Sequence, residues 1–262
     1  ATMGGNLCNG SPAAESVPAL IAAGARVSIV GPKGRRDVPV EDVMLGPRRL
    51  ALTKGEIIAS FLLPAKAAHT ADDATRYFNS YKHALQALAE YNTRQKIGGL
   101  SGPSISVKLS ALHPRYEWAQ HERVLQELTP RLLDLVEIAA HHNIGLTIDA
   151  EEAERLELSL AIIEQVFSSG LLKNYAGFGC AVQAYQKRAP AVLDWLYANA
   201  ELYNVKMTVR LVKGAYWDTE IKRAQERGLS NYPVYTRKEA TDIAYLACAR
   251  KLLGWRDRIF PQ

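Results

Sequence analysis

The sequence has few of the residues that mark several large classes of protein. Only 3 of its 262 residues are cysteine. Cys8, Cys180 and Cys248 stand far apart, without metal-type spacing, so they read as free thiols in a reducing compartment and argue against a disulfide framework. No apolar run approaches the ~20 residues of a transmembrane helix. The opening ATMGGNLCNG lacks the charged-then-apolar layout of a secretory signal. Charge of either sign is scarce in excess: 32 Lys+Arg stand against 27 Asp+Glu, for a net +5, and the two signs are interspersed. That balance is too mild to argue for a nucleic-acid partner. No GxGxxG follows the first strand of the repeating region, which counts against a doubly wound dinucleotide fold. His113, His141 and His142 are not placed as ligands, so no metal is expected. A soluble cytoplasmic protein is the expectation. What is present, 48% hydrophobic residues in a chain of this length, suffices for one large core or two small ones.

The texture changes near residue 66. Residues 1–66 are rich in Gly and Pro, with a hairpin expected at about 26–40 around Gly31-Pro32-Lys33-Gly34 and a strand at 57–63. Gly4-Gly5-Asn6 could bring backbone N–H groups to a phosphate, helped by a helix start at Ser11-Pro12, although a plain tight turn explains it as well. From residue 67 the pattern alternates. Thr70 caps a helix over 71–91, ISVKLSAL (105–112) reads as a strand, and 116–142 as an amphipathic helix interrupted near Pro130. Strands at 144–150, 177–185 and 206–214 alternate with helices, 234–253 is helical, and RIFPQ begins a further strand. Repeated strand–helix units predict a parallel sheet, and their even spacing predicts a (β/α) barrel with a small α+β segment before it. The expected domains are 1–66 and 67–262.

KMTVRLVKGAYWDTEIKR (206–223) is the stretch on which a functional reading turns. A strand of β-branched residues has no structural need for Arg210 in its middle or Lys213 at its end. Two explanations stand: an anionic or electron-rich ligand meets these cations, or neighbouring carboxylates do. A barrel would bring other strand-end residues to the same rim: Lys108, then Asp149 and Glu151, then Gln183 with Tyr185, then Tyr216 and Trp217. Asp149 also suits the N-cap of the EEAER helix. Cations, an amide and aromatic faces without a nucleophile suit a flavin and a small acid, and a phosphate-binding aldolase or isomerase is not excluded by residue type.

Two resemblances sharpen this. TMGGNLCNGSPAAE with ARVSIVGPKGRRDVPVEDVMLGP and GEIIASFLLP, over 1–64, resembles the FAD-binding subunit of molybdenum hydroxylases of the xanthine and carbon monoxide dehydrogenase type. It implies that Thr2, Gly4, Gly5, Asn6 and Ser11 touch the cofactor. SISVKLSALHPRYEWAQ, IGLTIDAEEAERLELSL, GFGCAVQAYQKR, VRLVKGAYWDTEIKRAQ and YPVYTRKEATDIAYLACARKLL, over 67–262, resemble the proline dehydrogenase domain of the bifunctional proline utilization A flavoproteins. That resemblance implies a distorted (β/α)8 barrel, FAD, and oxidation of L-proline to Δ1-pyrroline-5-carboxylate. It assigns Lys108 to the proline carboxylate, and Asp149, Ala150 and Tyr216 to the substrate side. Gln183 and Arg210 go to the flavin ring, Val212, Lys213, Gly214, Ala215 and Trp217 to the cofactor cradle, and Thr236, Arg237 and Lys238 to the phosphate–ribose part. A quinone or another electron acceptor, peripheral contact with the inner membrane and a homo-oligomer are expectations on the same footing. Two features depart from the family. Lys66 in LPAKAAHT stands where a glutamate belongs, and the barrel strands expected after Gln262 are not in the sequence. The chain thus reads as a fusion of two flavoprotein pieces, whose N-terminal strands are expected to pair with the open side of an incomplete barrel. An electron-transfer component of a molybdenum hydroxylase, or a non-catalytic remnant, are the alternative functions.

Overall fold

The computed structural model describes residue 20 and residues 25–46, 49–62, 68–95 and 102–262. The expected FAD loop at Thr2–Ser11 and Lys66 lie outside them. The chain divides into two compact units, Ala1–Pro114 and Arg115–Gln262.

In the first unit the expected hairpin forms. Strands β1 (Arg26–Gly31) and β2 (Gly34–Pro39) pair antiparallel in register, with Gly31 opposite Gly34. Gly34 closes the turn at φ +109°, a conformation that suits glycine. The short helix α1 (Val40–Val43) packs Val40 and Val43 on Val27 and Ile29 of β1, all four fully buried. Strands β3 (Met44–Gly46) and β4 (Arg49–Leu50) form a two-stranded ribbon. Strand β5 (Ile57–Leu62) pairs with the other edge of β1, giving the order β2-β1-β5. Among the described residues these strands form sheets of their own, and none of the expected pairing with a barrel edge is seen there.

Helix α2 (Ala71–Gln95) runs one turn longer than expected. Its start is a reciprocal cap: the Asp73 N–H donates to Thr70 Oγ1 at 3.1 Å and the Thr70 N–H to Asp73 Oδ2 at 3.2 Å. Tyr77, Tyr81, Ala84 and Leu85 recur at helical spacing and are buried. The expected strand at 105–112 is shorter: β6 covers Ile105–Val107, and Leu109–Leu112 is a helical turn, α3. Leu109 and Leu112, three residues apart, are both fully buried, a spacing that a helical turn satisfies and a strand does not.

The second unit alternates strand and helix. Its helices are α4 (His121–His141), α5 (Leu156–Ser168), α6 (Ala189–Leu202), α7 (Trp217–Glu226) and α8 (Lys238–Gly254). Its strands are β7 (Leu146–Ile148), β8 (Phe178–Gln183), β9 (Met207–Val212) and β10 (Ile259–Pro261). Each strand pairs in parallel with the next, as the repeated strand–helix pattern requires. Helix α4 runs through Pro130 without the expected interruption. Val124, Leu128, Leu132, Leu135, Val136 and Ala139 line one fully buried stripe spanning the proline. Burial at about 1.5–3 kcal/mol for each large apolar side chain outweighs the ~3 kcal/mol that an internal proline costs a helix.

Register decides which residues share a sheet face. Ile148, Cys180 and Val209 form one row, and with Leu146, Phe178, Val182, Met207, Leu211 and Ile259 they make an apolar face that is buried throughout. Leu160, Ile163 and Val192 of α5 and α6 line the same space as Ile148, Cys180 and Val182. The opposite face carries Thr147, Gly179, Thr208 and Phe260 in one row, then Ala181 and Arg210, then Gln183 and Val212. Gly179 is obligatory there, since a Cβ would lie 2.2 Å from the Thr208 carbonyl oxygen.

One ion pair in the first unit has a pH signature. Arg36 Nη2 and Nε bind the two carboxylate oxygens of Glu56 at 2.9 and 3.0 Å, and the Thr53 N–H donates to the same group at 2.8 Å. The Arg36 hydrogen bond first, then that of Thr53, lowers the Glu56 carboxyl to about 2 from 4.5. A depressed acid contributes stability above its ordinary value and loses it as pH falls toward the folded value. Glu56→Gln should therefore destabilise the first unit above pH 5, and the difference from wild type should vanish on acidification to about pH 2, read by denaturant titration across that range.

Candidate active site

Ala181 of β8 pairs with Arg210 of β9, and Asp149 directly follows the last residue of β7. The methyl group of Ala181 leaves a low saddle, across which Arg210 Nη2 donates to Asp149 Oδ1. Both side chains remain partly open to solvent, 29% for Arg210 and 23% for Asp149. Asp149 is thus not the expected helix cap. The turn that starts α5 is preceded by Glu152, and the Asp149 carboxylate is turned to Arg210 instead.

Gln183, one row further on, joins two loops. Its Nε2 donates to the Glu151 carbonyl at 2.7 Å, and its Oε1 accepts from the Ala215 N–H at 3.2 Å. The side chain is 4% exposed, so its amide is committed to backbone groups on both sides. The loop after β9 is shaped by Gly214, at φ +137°, where a Cβ would lie 2.5 Å from Tyr185 ring atoms. Tyr185 is accordingly a buried floor under that loop and not the rim residue expected. Its backbone N–H donates to the Lys213 carbonyl and its carbonyl accepts from the Tyr235 N–H, at 2.7 and 2.8 Å. Burial pushes its phenol far above the ordinary range.

On the outer side of the loop, Lys213 and Lys238 converge on Asp242, at 2.5 and 2.6 Å. These hydrogen bonds, Lys213 first, hold the Asp242 carboxyl below its ordinary range. Arg237 immediately precedes α8, Thr236 lies just before it, and Trp217 Nε1 donates to the Tyr235 carbonyl at 2.9 Å. Tyr216 precedes the first turn of α7, and Val212 pairs with Gln183 at the end of the sheet. Ala150 lines a cavity of about 30 Å³ with Asp149, Gln183 and Ser159, which is room for a water and not for a large ligand. Lys108 belongs to the first unit, where its backbone N–H donates to Tyr81 Oη at 3.1 Å.

Among the expected residues, the second unit brings together Asp149, Gln183, Arg210, Gly214 and Ala215, and separately Lys213 and Lys238. Three residues escape sequence reasoning. Asp242 is an ordinary helix-surface acid in the sequence, and Arg188 and Glu220 each bond a backbone group far away in the chain. Arg188 Nη2 donates to the Ala153 carbonyl, and Glu220 Oε1 accepts from the Ala153 N–H at 2.6 Å.

Residues 48–262 match the family model of proline dehydrogenase. The chain belongs to the proline dehydrogenase family. Residues 1–66 match the FAD binding domain in molybdopterin dehydrogenase, so the two matches overlap over 48–66. The bifunctional protein PutA of Salmonella typhimurium is 51% identical over 203 residues, 78% of this chain and 15% of that protein. A putative xanthine dehydrogenase FAD-binding subunit of Escherichia coli is 31% identical over 93 residues, 36% of this chain and 30% of that protein. A crystal structure of a mutant proline utilization A from Bradyrhizobium japonicum superposes with a TM-score of 0.73 at 55% identity, covering 76% of this chain and 20% of that one. The chain thus spans about 15% of the length of the curated PutA relatives it matches. The α/β architecture, with its parallel five-stranded sheet, is similar to that of the proline dehydrogenase domain.

The Gly214 loop supplies a test with an internal control. Gly214→Ala combines a left-handed φ with a clash on Tyr185, whereas Gly228→Ala meets only its φ of +62° in open space. Gly214→Ala should cost about 3 kcal/mol or more and Gly228→Ala about 1 kcal/mol, compared by denaturant midpoints.

Proposed function

We propose that the protein oxidises L-proline to Δ1-pyrroline-5-carboxylate with FAD as its cofactor. The observation that carries this reading is Arg210: a partly open guanidinium in the middle of a strand, on the sheet face opposite the buried apolar one, in a chain of the proline dehydrogenase family. The residues suit a flavin dinucleotide. Gly214 leaves bare backbone above Tyr185, Arg210 offers a fixed cation to an electron-accepting ring, and Lys213, Arg237 and Lys238 gather positive charge for a pyrophosphate. When bound, FAD supplies the two-electron acceptor for the hydride that proline gives up.

The chain's own groups orient and polarise. Arg210 stabilises negative charge at the flavin edge, and Asp149 aims it. Lys108 is assigned to the proline carboxylate, with Asp149, Ala150 and Tyr216 on the substrate side. Gln183 fixes the two loops between which the ring and the substrate meet. Val212, Lys213, Gly214, Ala215 and Trp217 form the cradle, and Thr236, Arg237 and Lys238 hold the phosphate–ribose portion. We assign the domain junction to residue 66, the electron acceptor to a quinone or another carrier, and the setting to the cytoplasm, with peripheral membrane contact and self-association as parts of the same proposal.

A second reading is favoured by the match of residues 1–66: an FAD-binding, electron-transfer component of a molybdenum hydroxylase. One preparation separates the two. Flavin absorbance after purification, bleached by L-proline and restored by a dye acceptor, supports the proline dehydrogenase reading, while flavin that proline leaves oxidised overturns it. Arg210→Met should retain the fold and slow proline-dependent flavin reduction by about 100-fold, as loss of one preorganised charge-stabilising group does.

A further inference from the structure

Glu220 is a carboxylate in the first turn of α7, four residues after Tyr216, and it is 4% exposed. Surface pairs nearby need no special account. Arg223 and Arg227 meet Glu154 at 2.6 and 2.5 Å, all at least one-third open to water, where such pairs are weak and loosely directed. Glu220 differs by turning inward and taking a backbone hydrogen. Its Oε1 accepts from the Ala153 N–H at 2.6 Å, a short, charge-assisted bond with a defined direction. Burial raises its carboxyl, opposed by the Ala153 N–H and by Arg223 on its own helix, while Glu152 and Glu154 on the facing loop raise it further. Tyr185 faces it from the β8–α6 connection, and Arg188 shares its groove.

What that bond holds is the connection between β7 and α5. Residues 149–153 begin where the β7 ladder ends, and three side chains then fix them. Gln183 takes the Glu151 carbonyl, Arg188 the Ala153 carbonyl and Glu220 the Ala153 N–H. Gln183 anchors the segment to β8 and the Ala215 N–H, while Glu220 anchors it to α7, the helix that continues from β9 and Arg210.

We infer that Glu220 is a positioning residue for the proposed reaction: it clamps the Asp149 segment to the first turn of α7 and so sets where Asp149 stands beside Arg210. The inference rests on the reading of Asp149 and Arg210 as part of the flavin and proline site, and its test has a readout independent of that reading. Hydrogen exchange compares wild type with Glu220→Ala and Glu220→Gln, the glutamine keeping an acceptor oxygen. Glu220→Ala should speed exchange of the 150–153 amides by about 10-fold or more and leave α4 unchanged, with Glu220→Gln within about 3-fold of wild type. Unchanged exchange, or an increase spread evenly over the second unit, overturns the clamp.

The second measurement is flavin reduction by proline in the loaded enzyme. Glu220→Ala should slow it about 10- to 100-fold at equal flavin content, since a displacement on the order of 1 Å can cost that much. On an Asp149→Asn background the same change should add less than about 3-fold, because the two residues act in series. A full effect on that background overturns the route through Asp149. If wild type reduces no flavin with proline, the functional reading fails while hydrogen exchange still decides the clamp. Should Glu220→Ala not fold, Glu220→Asp, one methylene too short to reach Ala153, takes its place in both measurements.

Discussion

Arg210 reaches across Ala181 to Asp149, and much of the second unit is arranged so that this contact can exist. An arginine inside a sheet strand must either face solvent or meet an anion. Here it does both in part, because parallel pairing puts it on the face away from α5 and α6, and because the strand between it and Asp149 carries a side chain of one methyl. A larger residue at position 181 would stand in the path. The pair is open enough that a ligand can approach it from the sheet's polar side, which gives a family assignment a physical place to act.

Around that contact the loops at the strand ends are bound to one another more than to solvent. Gln183 spends both ends of its amide on backbone groups from two loops, and Tyr185 lies beneath Gly214, where no side chain fits. Such a rim is preorganised: its polar groups are already aimed before any ligand arrives, so less is lost in ordering them. Lys213 and Lys238 are held in the same manner by Asp242. The cations that sequence reading singled out are therefore neither free nor idle. Arg210, Lys213 and Lys238 each have a carboxylate partner, and a partly exposed pair of that kind does not shut out a ligand.

The course of the chain was legible wherever a periodic apolar pattern ran long enough. The hairpin at Gly31–Gly34, helix α2 with its Thr70 cap, and the alternation from β7 to β10 all follow from local signals. The misreadings share a cause. Pro130 reads as a break and Leu109–Leu112 as a strand because local propensity is weighed without the burial that overrides it. Asp149 fits a helix cap by position, and only the neighbouring strand supplies the arginine that claims it. Glu220 and Arg188 carry no signal, because a side chain that bonds a distant backbone group looks in sequence like any surface charge.

By itself the sequence determined the strand–helix alternation, the family, and the identity of the residues at each strand end, because these depend on spacing along the chain. The tertiary structure decided which of those residues meet. Contacts such as Arg210 with Asp149, Gln183 with Ala215 and Glu220 with Ala153 join residues 32 to 67 positions apart. They depend on strand register and on the packing of loops across the sheet, where a shift of one residue would turn every side chain to the opposite face.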